Sequence, residues 1–207
     1  MGGRRSKPVS RSNAELRERL AQEAARLMVE SGIDNFGLAK RKAAERLGAR
    51  GAGALPTNAQ IEASVVERQR LFDPESHDQR LTELRRIAAD VMLELESFGP
   101  RLVGAVLAGT ATINSPIELH VFADAPELVA AALEDEGSGG LRDVQRRYRL
   151  DADTVVQMPG FSFSRDREQV EVIVFTERGA HHAPLSPVDQ RPMRRAGRGA
   201  VLALLDA

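Results

Sequence analysis

The stretch RLVGAVLAGTATINSPIELHVFA, residues 101–123, decides the fold prediction for this chain. Its first half, Leu102 to Ala108, is a near-continuous apolar run, which is typical of a strand covered on both faces. A turn of small and polar residues follows, and Ile117 to Phe122 forms a second run. Because strand side chains alternate between faces, Glu118 and His120 are expected on the same face of this second strand. The sequence therefore predicts two short strands joined by a turn.

Small residues at Gly109-Thr110 and Ser115 precede Glu118, and a second isolated acid, Glu171, lies between Val170 and Val172. A small-residue turn followed by acidic groups on a strand face suits a polyphosphate and its metal. At these residues the chain resembles the DNA polymerase β-like nucleotidyltransferase superfamily. That family has a strand ending in Gly-Ser, a short loop, Asp-x-Asp at the start of the next strand, and a third carboxylate on a later strand.

The resemblance implies a role for each matched position. Gly109-Thr110 stands in the place of Gly-Ser and, with Ser115, is implied to bind the nucleotide. Glu118 and Glu171 are implied to hold Mg²⁺ and to be the catalytic carboxylates. Pro116 stands at the first Asp position, so the chain offers two carboxylates where a two-metal site usually needs three. His120 shares the face of Glu118, and a satisfied, half-buried histidine is the favoured interpretation over a metal ligand.

Three functions remain open at this point. The first is a nucleotidyltransferase-like protein that binds an NTP and Mg²⁺ and, if active, transfers NMP to a hydroxyl of RNA, protein or a small molecule. The second, suggested by Pro116, is a catalytically inactive pseudoenzyme that binds nucleotide or RNA. The third is a DNA-binding regulator that uses residues 13–50. There, residues 24–48 resemble the first two helices of a TetR-type helix-turn-helix, although no recognition helix is evident after them.

Charge and composition indicate which class of partner the protein binds and in which cellular compartment it is found. Residues 1–50 carry 12 Lys+Arg and 6 Asp+Glu, a net charge of +6, whereas the remainder carries 17 and 24, a net charge of −7. The positive net charge of residues 1–50 favours an anionic partner such as RNA. The absence of cysteine excludes disulfides and thiolate metal sites. With no apolar run near the ~20 residues of a membrane span, we expect no membrane partner. The lack of cysteine fits a cytoplasmic protein, and the excess of arginine over lysine together with abundant alanine is typical of a bacterial one.

The predicted fold class is α+β, with four segments. Residues 1–12 are expected to be a disordered basic tail, and residues 13–98 a helical region in which Leu81 to Leu95 gives the clearest helical periodicity. Residues 99–178 are expected to form a nucleotidyltransferase-like core, a mixed, mostly antiparallel sheet with flanking helices. Residues 179–207 are expected to be a turn-rich segment with a short helix.

Overall fold

Helices form the first part of the chain and a mixed sheet the second, so the predicted α+β class is confirmed. A computed structural model describes residues 9–49, 55–72, 74–135 and 140–206. Positions 1–8 of the predicted tail lie outside the described residues. The chain divides into two compact units. Unit 1 comprises Met1–Pro74 with Thr112–Asn114, and unit 2 comprises Glu75–Ala111 with Ser115–Ala207.

Unit 1 is built from three helices, α1 (Val9–Ser31), α2 (Phe36–Arg46) and α3 (Asn58–Phe72). α1 buries a stripe of apolar side chains, including Leu20 and Leu27. Apolar side chains of α2 and α3 belong to the same buried core. The backbone amide of Leu38 donates to the side-chain oxygen of Asn35 over 2.9 Å, which caps the start of α2. The predicted pair of helices over residues 13–50 therefore exists, and a third helix packs with it.

Unit 2 contains a five-stranded sheet in the order β1-β2-β5-β4-β3. Three of its four neighbouring pairs are antiparallel, and β2 and β5 are parallel. The strands are β1 (Arg101–Val103), β2 (Ile117–Phe122), β3 (Arg142–Arg149), β4 (Val155–Arg165) and β5 (Glu168–Phe175). The helices of this unit are α4 (Pro74–Glu94), α5 (Gly104–Ala108), α6 (Pro126–Asp135) and α7 (Arg198–Ala203).

One face of the sheet packs on α4. The periodic apolar residues of this helix, among them Leu84 and Val91, share a buried cluster with Leu119 of β2 and Val172 of β5. Two salt bridges connect α4 to the β4–β5 hairpin. Arg80 donates to both carboxylate oxygens of Glu168, over 3.0 and 2.9 Å, and Arg165 donates in the same way to Glu94. α4 therefore belongs to the sheet unit, within the region 13–98 that the sequence groups as helical.

The second half of the opening apolar run is helical, so the strand predicted for Leu102 to Ala108 is wrong beyond Val103. Gly104 has a φ of +69°, a left-handed conformation that interrupts the strand, and Gly109, with a φ of +80°, ends the following helix. A short apolar run between glycines fits a buried strand and a buried helical turn equally well. Two glycines with positive φ decide between them here.

The C-terminal segment runs from one edge of the sheet to the other. Leu185 forms a bridge with Arg149 of β3, whereas Ala196 forms one with Leu102 of β1. β3 and β1 are the two edge strands, so residues 185–196 span the width of the sheet. In the described part of the chain, no helix has the length and apolar character that crossing a bilayer requires.

Shortening a buried side chain of α4 is expected to destabilise unit 2. Leu84 is fully buried, so Leu84→Ala should lower the free energy of unfolding by about 3 kcal/mol through lost burial and a residual cavity. Leu93→Ala on the same helix is the control, because Leu93 is 52% exposed and its loss should cost less than ~0.5 kcal/mol. Urea unfolding measures both. Equal effects would contradict the packing of α4 on the sheet.

Candidate functional site

Glu118 and Glu171 are neighbours on one face of the sheet. They are register partners in the parallel pair β2–β5, and partners in adjacent strands point to the same side, with backbones about 4.8 Å apart. The same face carries His120 on β2 and, from β3, Arg146 and Tyr148; it is called the polar face below. The structure thus brings together the two carboxylates that the sequence singled out.

Glu171 is buried and fully engaged. Its side chain is 4% exposed. The Nε of Arg146 donates to its Oε2 over 2.8 Å, and the Nη2 of Arg146 donates to its Oε1. The side chain of Gln169 donates to Oε1 as well, over 3.1 Å. The hydrogen bonds from Arg146 to Glu171 raise the pKa of Arg146, with smaller contributions from the charges of Glu171 and Glu118. Both oxygens of Glu171 therefore already accept charge-assisted or amide hydrogen bonds.

Glu118 lies against the turn that follows β1. A Cβ atom added at Gly104 would be 2.4 Å from the Oε1 of Glu118. Because Gly104 also has a positive φ, two constraints demand glycine at this position. Gly104 therefore directly follows β1 and lies against Glu118 of β2. No pattern in the sequence indicated this role for Gly104.

Gly109 and Thr110 close the short helix α5. The backbone amides of both residues donate to the carbonyl of Ala105, over 2.9 Å in the case of Thr110. The carbonyl of Gly109 contacts the Nε2 of His77 at 3.0 Å. These amides are thus committed to the helix end, where a phosphate-binding turn would need them unengaged. Ser115 is buried in the segment that leads into β2.

His120 is a buried, neutral histidine. The Nε of Arg195 donates to its Nδ1 over 3.1 Å, so Nδ1 accepts and Nε2 carries the proton. That Nε2 then donates to the hydroxyl of Tyr148, 3.1 Å away. Burial, and secondarily the charge of Arg195, lower the pKa of His120 to about 3. Both ring nitrogens are paired, which agrees with the structural interpretation of this histidine over the metal-ligand one.

Arg195 brings the C-terminal segment onto the polar face. Its guanidinium lies 5.1 Å from the ring centre of Phe122 and 5.0 Å from that of Phe175, distances that suit cation–π contacts. It also donates to the carbonyl of Gly179 over 2.7 Å. Arg195 is therefore a packing and positioning residue for His120.

The sequence contained a signal for Arg146 but none for Arg195. Val144, Arg146 and Tyr148 alternate on one side of a predicted strand. A charged residue between two apolar ones on a strand face favours an acidic partner on the same face of the sheet. Arg195 comes from a turn-rich segment without periodicity, so only the folded chain relates it to His120.

The donor set fits a two-metal site poorly. Among the described residues, no three His, Cys, Asp or Glu side chains come together as a metal-binding group. Mg²⁺ takes near-octahedral oxygen ligands and is usually held by carboxylates together with water and phosphate. Both oxygens of Glu171 accept protein hydrogen bonds, and Pro116 has no ligand atom in its side chain. Glu171 already has one cationic partner, the guanidinium of Arg146, whose positive charge also acts on Glu118.

A comparison of the chain with protein-family models, with curated proteins and with solved structures finds no match. Function is therefore inferred from the residues of this site and their geometry.

The neutral state of His120 predicts a loss of stability in acid. Between about pH 6.5, its ordinary pKa when unfolded, and about pH 3, the unfolded chain binds a proton that the folded chain does not. From pH 7 to pH 5 this difference should remove about 2 kcal/mol from the free energy of unfolding. His120→Gln should lack this contribution, so its stability should fall less than that of the wild type. Urea unfolding at both pH values measures the difference.

The control for this experiment is His181→Gln, because His181 is exposed. This variant should keep the pH dependence of the wild type. If His120→Gln and the wild type lose the same stability in acid, His120 is not held neutral by its surroundings.

Proposed function

We propose that this protein binds a nucleoside triphosphate on the polar face of its sheet and does not transfer NMP. The nucleotide-binding part rests on the resemblance to the polymerase β-like nucleotidyltransferases. The loss of transfer rests on the residues that surround the two carboxylates. Of the three functions that the sequence leaves open, this proposal is the catalytically inactive pseudoenzyme.

The register pairing of Glu118 with Glu171 carries the proposal. The resemblance implies an acid on the strand after a glycine turn and another acid on a later strand. Glu118 and Glu171 are direct neighbours in β2 and β5, and Gly104 forms the turn against Glu118. The two carboxylates have 52 residues between them in the sequence, yet they lie side by side on the polar face. Adjacent like charges are a feature of many binding and catalytic sites.

Three observations argue against transfer. Pro116 stands at the first carboxylate position, and both oxygens of Glu171 accept hydrogen bonds from protein donors. The guanidinium of Arg146 supplies positive charge at the pair without the vacant coordination sites of a metal ion. The alternative is a Mg²⁺-dependent nucleotidyltransferase, in which Mg²⁺ displaces Arg146 from Glu171 and Glu118 and Glu171 act as metal ligands.

Calorimetric titration with ATP, GTP, CTP and UTP tests the proposal, combined with an assay for pyrophosphate release. We expect binding of at least one NTP and no pyrophosphate above the background without protein. Glu118→Gln should bind that NTP as tightly as the wild type, since without a metal the carboxylate is not a ligand. Glu127→Gln, an exposed acid in the same unit, is the control for the loss of one negative charge.

The same assay identifies the alternative. Pyrophosphate release that requires Mg²⁺, disappears in Glu118→Gln and increases in Pro116→Asp would show that the chain is an enzyme. Failure of all four nucleotides to bind would overturn both nucleotide functions.

A second candidate concerns unit 1, where basic side chains of α2 face solvent. Arg41 and Lys42 are exposed, and neither forms an ion pair within the described residues, whereas Arg46 pairs with Glu23. Exposed, uncompensated basic residues on one helix favour contact with the phosphates of RNA or DNA. This is the DNA- or RNA-binding function expected for residues 13–50.

Fluorescence anisotropy with a DNA duplex and an RNA hairpin tests this second function. Replacing both Arg41 and Lys42 by Gln should weaken binding and reduce its dependence on salt concentration, because two phosphate contacts are lost. Arg46→Gln is the control, since its charge already pairs with Glu23. An equal loss of affinity in the control and in the double variant would argue against a specific role of Arg41 and Lys42.

A further inference from the structure

The guanidinium of Arg146 has one engaged edge and one open edge. Its Nε and Nη2 donate to Glu171, whereas its Nη1 has no hydrogen-bond partner among the described residues. The two side chains differ in exposure: that of Arg146 is 46% exposed and that of Glu171 only 4%. The buried acid thus fixes one side of the fork, and the remaining N–H groups point away from it because the guanidinium is planar.

A second arginine of β3 lies on the same face. Arg142 and Arg146 are four residues apart on β3, so both point to the polar face, with Cα atoms roughly 13 Å apart. Arg142 is the register partner of Ser162, which in turn is the register partner of Glu171. Arg142 is exposed and forms no ion pair in the part of the chain that the structure describes. The carboxylate pair and the arginine pair therefore have equal and opposite charge.

We propose that Arg146, fixed by Glu171, takes the place of a divalent cation on the polar face, and that Arg142 and Arg146 bind the phosphates of a polyphosphate ligand directly. This inference rests on the proposed nucleotide binding and adds that the binding needs no metal. Arginine suits the role because its planar fork engages a carboxylate on one edge and phosphate oxygens on the other. Both interactions are charge-assisted hydrogen bonds.

The wild type alone gives the first test. Inorganic tripolyphosphate and ATP are titrated calorimetrically, once with Mg²⁺ and once with EDTA. Binding of both should be as tight in EDTA as in Mg²⁺, or tighter, because Mg²⁺ competes for the phosphates. Binding that appears only with Mg²⁺ would overturn the inference and leave nucleotide binding standing. Tripolyphosphate bound as tightly as ATP would keep the inference and overturn the nucleoside part of the proposed function.

Variants of β3 give the second test. Arg146→Gln and Arg142→Gln should each weaken tripolyphosphate binding about tenfold or more, as expected for the loss of charge-assisted hydrogen bonds. Arg146→Lys keeps the charge but cannot form the fork, so it should also bind more weakly than the wild type. Arg147→Gln is the matched control, because Arg147 is exposed on the opposite face of β3. A tenfold loss in this control would contradict a specific site.

Manganese binding without nucleotide gives the third test and does not depend on any nucleotide function. Removing the guanidinium takes the cationic partner from Glu171 and a positive charge from the vicinity of Glu118. Arg146→Gln, with its folding checked by a cooperative thermal transition, should therefore bind Mn²⁺ at least tenfold more tightly than the wild type, detected by electron paramagnetic resonance. Arg146→Lys should bind Mn²⁺ no better than the wild type, since its ammonium keeps a positive charge at the pair. Equal Mn²⁺ affinity in the wild type and Arg146→Gln would overturn the role of Arg146 as the resident cation.

Discussion

The parallel pairing of β2 with β5 determines both faces of the sheet in unit 2. It sets Leu119 beside Val172 on the side that packs against α4, and Glu118 beside Glu171 on the other side. Side chains alternate along a strand, so a shift of one residue would turn Glu171 into the apolar core and Val172 onto the polar face. Burial of the β2 and β5 valines, leucines and isoleucines therefore fixes the position of the two carboxylates.

Burying charged and polar groups on the polar face is possible because each has a specific partner. Glu171 has Arg146 and Gln169, and His120 has Arg195 and Tyr148. Removing one partner of such a pair leaves a buried group unsatisfied, which costs more free energy than the intact pair contributes. The two pairs are held in different ways: Glu171 by a neighbouring strand, and His120 by a segment that crosses the sheet from Leu185 to Ala196.

Local patterns in the sequence predicted the elements whose environment is regular. The periodicity of residues 81–95 predicted α4, and alternation predicted β2 and the phase of Glu118. The run from Leu102 to Ala108 failed because the φ angles of Gly104 and Gly109, and not hydrophobicity, decide its conformation. Because β1 ends at Val103, the glycine that lies against Glu118 is Gly104 and not the predicted Gly109.

The candidate site was predictable only in part, for a related reason. Strand phase put Glu118 and Glu171 on definable faces, but the parallel register that makes them neighbours depends on the whole sheet. The fork from Arg146 to Glu171 joins two strands that are not adjacent, since β4 lies between β3 and β5. Contacts of this kind depend on side-chain length and sheet twist, which no local pattern encodes.

We infer that Arg146 occupies the cation position beside Glu171 and stays there when Mg²⁺ is present. The most direct measurement is the ¹H–¹⁵N resonance of the Arg146 Nε–H group, assigned by its absence in Arg146→Lys. We predict a resonance that exchanges slowly with water and keeps its position throughout a Mg²⁺ titration, because its hydrogen bond to Glu171 persists. A resonance that exchanges rapidly, or that moves as Mg²⁺ is added, would contradict the claim, since it would mean that the metal takes Glu171 from Arg146.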